Sequence, residues 1–395
     1  MKIKLSLQLL FVVLLADSNV EAGSLYGKFG VGERQYISSA RSIGMGGINL
    51  SIKDRYTMSR WNPALWAFVS PVRINLLSTT NYNAVDVDGG NSGTFTDFSG
   101  FGMVLPMGSK ISVGGGVYPI SNSNYELFRK GIVNDESWEL TIKGRGGING
   151  FGLGFGYKFN DDFSIGLKND WVFGNKTEEW KTIFDNGLFN DTEFTRLTSF
   201  DGTLWTFGIF NSRGKFNFAA SASIPFEFDI KKEIESAHSA NSKDPAKNID
   251  FPAEWRFGVS YDPGENYVAG IDYQFSDWKS LENDFDGNFG RAYDIFGGIE
   301  RKSSPAAESF LKRIALRAGL GYRQLYVRSL SGSRIVETSG STGFGIPMHG
   351  GKEFIDIGVS FVLRKSGAAS DLKENSVSIV LGYSAGELWF VRRKR

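Results

Sequence analysis

From Val72 onward, apolar and polar residues alternate with a period of two, which is the pattern of strands whose faces meet different surroundings. Between Phe163 and Gly174, large apolar residues alternate with Ser164, Lys168 and Asp170. The same alternation recurs in the segments 216–230, 254–261, 313–323 and 355–364. These segments predict strands with one apolar and one polar face.

The connections between these segments are of two kinds. Turns rich in glycine, asparagine, aspartate and proline lie near 106–108, 160–162, 212–214, 263–266 and 349–351. Longer polar segments lie near 121–136, 182–194, 231–250, 281–288 and 366–373. Short turns that alternate with long loops are typical of outer-membrane barrels.

Strands placed between these connections number about fourteen, an even number as a closed single-chain barrel requires. They are predicted near 72–84, 94–106, 110–120, 137–159, 163–175, 195–211, 215–230, 252–262, 267–279, 289–302, 313–326, 335–348, 353–365 and 374–390. Most exceed the roughly 9–11 residues that cross a bilayer at a tilt. We therefore expect an all-β fold, a transmembrane antiparallel β-barrel over residues 71–390 that contacts outer-membrane lipid.

A soluble β-sandwich or solenoid would also alternate. It would not need a large aromatic apolar face on nearly every strand, nor an export signal. Aromatic residues near strand ends suit the girdles at the two membrane surfaces. Those expected there are Trp171, Trp180, Trp255, Trp278 and Trp389.

The first 22 residues have the layout of a secretory signal peptide. Lys2 and Lys4 precede an apolar run from Leu5 to Ala16, and Ala22 offers a small residue for cleavage before Gly23. The pattern predicts export, a mature chain from about Gly23, and a short basic tail at 391–395.

Composition excludes several classes of function. Lys and Arg number 44 against 43 Asp and Glu, so the charge balance suggests no nucleic-acid partner. The chain has no cysteine and two histidines, His238 and His349, which are predicted at opposite ends of the barrel. No histidine can then pair with a nucleophile or a second metal ligand, so we expect no enzyme activity, metal site or cofactor.

The segment from Ala40 to Trp66 does not alternate. It combines Gly44, Met45, Gly46 and Gly47 with the turn sequence Asn62-Pro63-Ala64. Glycine permits close backbone approach, and Pro63 restricts its neighbour to an extended or turn conformation. We interpret residues 23–70 as a compact plug inside the barrel. Asn62 would be its buried polar anchor, Pro63 would fix the turn, and Ala64 would permit close packing.

The sequences ARSIGMGG (40–47) and NPALW (62–66) resemble the N-terminal hatch of FadL-type long-chain fatty acid transporters. The strand pairs over 157–174 and 251–278 are also similar. The resemblance implies a fourteen-stranded barrel, multi-pass in the outer membrane of a Gram-negative bacterium, with the hatch in its lumen. It further implies passive uptake of a hydrophobic small molecule, with hatch rearrangement and lateral release through a kinked third strand. Gly114, Gly115 and Gly116 are the candidates for that kink, and packing against the plug is their alternative role.

The expected lumen face departs from an apolar ligand path because it is rich in charge. The charged residues expected there are Lys168, Asp170, Glu254, Arg256, Asp272, Arg313, Arg317 and Arg323. PorV-like proteins resemble the same barrel and serve as assembly or shuttle partners of secreted proteins. Binding of a secreted protein is therefore the alternative function.

Overall fold

The computed structural model describes residues 23–86, 91–133, 136–185, 189–236, 241–264, 266–329, 332–366 and 373–387. The expected signal peptide and basic tail, together with His238 and Trp389, lie outside the described residues. In the part described, none of the helices has the length and apolar character needed to cross a membrane.

Within the described residues the chain forms eighteen strands, numbered here in chain order. They are β1 (Glu33–Arg34), β2 (Val72–Asp86), β3 (Asn91–Met107), β4 (Ile111–Asn122), β5 (Tyr125–Val133), β6 (Glu136–Lys158), β7 (Phe163–Phe184), β8 (Thr192–Arg213), β9 (Phe216–Ser236), β10 (Ser242–Lys243), β11 (Lys247–Asn248), β12 (Glu254–Tyr261), β13 (Tyr267–Asp277), β14 (Arg291–Arg301), β15 (Ala315–Arg328), β16 (Arg334–Met348), β17 (Glu353–Ser366) and β18 (Lys373–Glu387). The helices are α1 (Ala40–Gly44), α2 (Phe310–Arg313) and the 3₁₀ helices Leu25–Lys28, Pro63–Phe68 and Lys279–Asn283.

All strands except β1, β5, β10 and β11 form one closed antiparallel barrel of fourteen strands. The ring closes where β18 pairs with β2, and β4 pairs directly with β6. The predicted barrel and its strand number are confirmed. The prediction failed at 121–136, expected to be a loop, where β5 pairs with the first half of β6.

The two faces of the barrel differ as the alternation predicts. Outward side chains form an apolar belt in which Leu320 is 72% and Ile271 61% exposed, the surface that a transmembrane barrel presents to lipid. Inward side chains such as Lys168 and Arg323 are 3% and 2% exposed.

Three sequence-based placements are wrong. Trp171 and Trp255 face outward as expected, but Trp278 is buried in the interior and Trp180 lies on the inner face of the wall, with its ring 5.2 Å from the Lys28 ammonium. Arg313 does not face the lumen, because it lies exposed in α2, in the connection between β14 and β15.

The tight turns lie at one end of the barrel, here called the short-turn end, together with the longer connection 302–314 that contains α2. The other connections lie at the long-loop end. At the long-loop end, Phe251, Trp278 and Phe289 pack with Tyr26 and Val31 in an apolar cluster. This cluster covers the interior at that end.

Candidate functional site

The N-terminal segment (23–71) lies in the barrel interior and contacts inward-facing residues on opposite walls. Its 3₁₀ helix Pro63–Phe68 packs against β6, β7 and β8. Asn62 begins this helix, with its Oδ1 accepting a hydrogen bond from the Ala64 N–H at 3.1 Å. The Asn62 Nδ2 donates to the backbone oxygens of Leu50 at 3.2 Å and Ile209 at 3.1 Å. Asn62 is fully buried and joins two parts of the segment to the barrel wall.

The wall around this turn is built from glycines. A Cβ atom on Gly208 would lie 2.2 Å from the Asn62 Oδ1, and one on Gly166 would lie 2.3 Å from the Pro63 carbonyl carbon. Both separations are far below van der Waals contact. Asn62, Pro63 and Ala64 therefore approach the wall because these strand positions carry no side chain.

The glycine-rich turn Gly44–Gly47 lies elsewhere, against β14, β15 and β16. Gly46 has a φ of +77°, and a Cβ there would lie 2.6 Å from the backbone oxygens of Gly297 and Leu320. Its N–H donates to the Ser341 Oγ at 2.9 Å. Met45 beside it is fully buried. The residues predicted as one hatch site thus form two separate contacts with different walls.

Ion pairs hold the segment near this second contact. Arg41 donates to both carboxylate oxygens of Glu300, at 2.7 and 2.8 Å, and pairs with Asp54 at 2.7 Å. Glu300 also accepts from Arg317, which pairs with Asp356 at 2.5 Å. Burial strongly disfavours the charged form of Arg41, but Glu300 and Asp54 outweigh it and raise the pKa of Arg41 above its usual value.

A second group of ion pairs holds β1. Arg34 pairs with Glu254 at 2.5 Å, while Glu33 contacts Arg364. Arg364 also donates to Glu337 and Glu374, each at 2.7 Å. The sequence showed inward charges on the strands but gave no sign that their partners lie in the N-terminal segment.

The wall itself is interrupted between β3 and β4. Their ladder runs from Met107–Ile111 to Phe101–Val117 and ends there. Beyond it, Asn91–Phe98 pairs with β2 alone within the described residues. Ser99 forms a bulge in the β2–β3 ladder at the same level. We call this interruption the seam.

The end of β4 turns toward the interior at the seam. Ser121 and Asn122 pair with Arg34 and Glu33 of β1, and the Gln35 N–H donates to the Ile120 oxygen at 2.9 Å. Across the seam, the Asn122 Nδ2 lies 3.4 Å from the Asp97 Oδ2. The edge of β4 that β3 leaves free is thus occupied by the N-terminal segment.

Gly114, Gly115 and Gly116 lie below the seam rather than in it. They pair with β3 on one side and β6 on the other. A Cβ on Gly114 would lie 3.0 Å from the Trp66 ring, and one on Gly116 would lie 2.2 Å from the Phe101 oxygen. These contacts favour the packing role for the glycines. Bulky replacements there would disturb the ladder as well as any passage.

A cavity of about 60 Å³ lies behind the seam. It is bounded by Ser38, Met58 and Arg60 of the N-terminal segment and by Phe101 and Val117 of the wall. The Lys168 ammonium, also at this cavity, donates to the Tyr118 hydroxyl at 2.6 Å and pairs with Asp170 at 2.9 Å.

Arg60 is the unusual charge at this cavity. Its guanidinium lies 4.2 Å from the Trp61 ring centre and 4.0 Å from that of Tyr118, in cation–π geometry. It donates to the backbone oxygens of Gln35 and Ile37, and within the described residues its Nε has no partner. Burial lowers the pKa of Arg60 to about 10, so it stays charged at neutral pH. The site can therefore attract an anionic group.

The described residues contain no group of His, Asp and Glu side chains that could hold a metal ion. The predicted short-turn position of His349 is observed, where its ring lies 3.0 Å from Glu353.

Comparison with known proteins gives a family and a fold. The sequence model of the BamG family matches residues 1–395. Curated protein sequences give no match. Among solved structures, the CymD monoaromatic hydrocarbon channel is 14% identical with a TM-score of 0.59, and the match covers 91% of this chain and 99% of CymD. The Ralstonia pickettii toluene transporter TbuX is 14% identical with a TM-score of 0.61, covering 88% and 98% of the two chains. A Pseudomonas aeruginosa FadL homologue is 12% identical with a TM-score of 0.60, again covering 88% and 98%. At these identities the likeness confirms the FadL-type fold.

Proposed function

The chain belongs to the BamG family, and we propose that its barrel passes a hydrophobic small molecule through the outer membrane of a Gram-negative bacterium. In this proposal the molecule enters from the long-loop end and leaves sideways through the seam into the lipid. The seam carries the proposal, because it is the place where the barrel wall loses its ladder and a cavity lies directly behind it. Transfer needs no energy source, since apolar surface is removed from water at each stage.

The cavity chemistry suits an anionic amphipath such as a long-chain fatty acid. Its carboxylate would meet Arg60 and Lys168, while its chain would lie along Phe101 and Val117 at the wall. Two of the structurally similar proteins are a monoaromatic hydrocarbon channel and a toluene transporter. A neutral aromatic molecule is therefore the second ligand to test, beside a fatty acid.

The N-terminal segment must move for this passage to open. Small-molecule pockets usually measure about 300–1,000 Å³, whereas the cavity behind the seam measures about 60 Å³. Residues 56–58, beside the cavity, are held there by neutral hydrogen bonds. Met58 N–H donates to Asn75 at 3.3 Å, and the Tyr56 oxygen accepts from Ser384 at 2.6 Å. We propose that this part shifts as the hatch.

The test is uptake of a radiolabelled long-chain fatty acid and of toluene into proteoliposomes that contain the full chain. A Ser38→Trp variant should block the cavity and reduce uptake at least tenfold, while Ser109→Trp in an exposed turn serves as the control. Equal uptake by both variants would exclude the cavity from the path.

A protein-binding role is the second candidate, and the closely packed interior favours it. The charged residues of the lumen are paired with one another and with the N-terminal segment. A barrel that passes neither probe, yet co-purifies with one exported protein at a fixed ratio, would support this role instead.

A further inference from the structure

Four barrel strands extend far beyond the membrane belt at the long-loop end. β6, β7, β8 and β9 contain 23, 22, 22 and 21 residues, about twice the roughly 9–11 needed to cross a bilayer. With β5 they form a sheet that rises from one side of the barrel. We call this sheet the outer extension.

The two edges of the outer extension differ in whether a further strand pairs with them. The edge at β9 is covered, because the short strands β10 and β11 pair with it at Glu233–Ile234 and Asp229–Ile230. The opposite edge is β5, which within the described residues forms a ladder with β6 alone. Its nine pairs with β6 run without a bulge, and the strand contains no proline.

An uninterrupted free edge presents unpaired N–H and C=O groups to any extended chain. The side chains of β5 do little to block such pairing. Phe128 is 48% and Ile132 75% exposed, and the charge of Lys130 is directed back to Glu139 on β6. Glu126 is similarly paired with Lys143, at 3.0 Å.

Arg129 gives this edge a chemical preference. It occupies the central position of β5, is exposed, and lies opposite Leu140 on β6. None of the carboxylates described lies within ion-pair distance of it. A strand that adds to the free edge could therefore place a carboxylate beside Arg129, with β-branched residues at neighbouring positions.

We propose that the free edge of β5 binds an extended segment of a partner protein by β-strand addition outside the membrane. The segment is apolar at alternate positions and carries an acidic residue opposite Arg129. This binding does not depend on passage through the barrel, because the cavity behind the seam takes no part in it.

The probe is a synthetic peptide as long as β5 that alternates valine and threonine and has a central glutamate. Its affinity for the full chain is measured by fluorescence anisotropy. The same peptide with alternate backbone nitrogens methylated cannot complete the ladder and should bind at least tenfold more weakly. Hydrogen exchange should slow in 125–133 when the unmethylated peptide binds, and not in β2.

A charge reversal tests the preference for an acidic residue. Arg129→Glu should weaken binding of the glutamate peptide about tenfold and favour a peptide with central lysine. Binding of the lysine peptide also shows that the variant is folded. Arg213→Glu, an exposed arginine at the short-turn end, should change neither affinity.

Equal binding of the methylated and unmethylated peptides would overturn the proposal, as would binding that leaves exchange in 125–133 unchanged. Light scattering of the chain without peptide provides a further check. Dimerisation lost in Arg129→Glu would identify a second copy as the occupant and overturn the assignment to a partner protein.

Discussion

Two sides of this barrel hold the N-terminal segment by different kinds of contact. β14–β17 hold it through buried ion pairs, with Arg41 on Glu300 and Glu33 on Arg364. β2 and β4 hold it through the backbone pairing of β4 with β1, a hydrogen bond from Met58 to Asn75 and the cation–π contact of Arg60 with Tyr118, with no ion pair to these strands among the described residues. A buried ion pair is costly to break from one side, because the remaining charge loses its partner. The charged wall therefore fixes the segment, while the seam wall is the side where it can move.

The largest effect should come from removing Arg364 from the charged wall. Arg364→Met leaves Glu33, Glu337 and Glu374 without their shared cation. We expect a loss of about 3–5 kcal/mol in the free energy of unfolding, measured by urea denaturation in detergent. Arg213→Met, which removes an exposed arginine, is the control. Equal stability of the two variants would show that this wall is not held by charge.

Arg41→Met should have a smaller effect, because Glu300 keeps its bond from Arg317. We expect a loss of about 1.5–3 kcal/mol, the usual range for hydrogen bonds to charged groups. Hydrogen exchange should accelerate at 40–47 and leave β3 and β4 unchanged. Acceleration spread evenly over both walls would contradict their independence.

Asn62→Ala should cost about 1–3 kcal/mol, because it leaves buried backbone oxygens of Leu50 and Ile209 without this donor. Exchange should accelerate over 62–68, on the side of β6–β8. Asn266→Ala in an exposed turn is the matched control and should behave as the unaltered chain. An unchanged exchange rate at 62–68 would exclude Asn62 as an anchor.

The smallest effect should follow Lys53→Ala at the short-turn end. The Lys53 ammonium donates to the Asp161 backbone oxygen at 2.7 Å, but this contact is exposed to solvent. Exposed substitutions usually change stability by less than about 0.5 kcal/mol. A loss above 2 kcal/mol in the same urea experiment would show that the segment is also held at its rim.

The features predicted correctly from the sequence are those that depend on local residue patterns. Alternation located all fourteen barrel strands because lipid and interior impose different residues on the two faces of a strand. It missed β5, whose segment looks polar because Arg129 and Lys130 stand at its centre.

The candidate site depends on contacts between residues far apart in the chain, which local sequence patterns do not reveal. Arg41 and Glu300 are 259 positions apart in the chain. The end of the β3–β4 ladder is set by a bulge at Ser99 and by pairing of β4 with β1. The glycines at 114–116 lie within the β3–β4 ladder, which ends only after Val117.

Closing the seam tests the proposed path most directly. The chain has no cysteine, so an Asp97→Cys/Asn122→Cys variant carries unique thiols, at positions whose native side chains meet across the seam. A short bis-methanethiosulfonate linker would join them. A Val259→Cys/Ile271→Cys disulfide across the paired strands β12 and β13 is the control. We predict that fatty acid and toluene uptake into proteoliposomes stops in the linked variant, returns after reduction, and is unaffected in the control. Undiminished uptake through a linked seam would contradict lateral release.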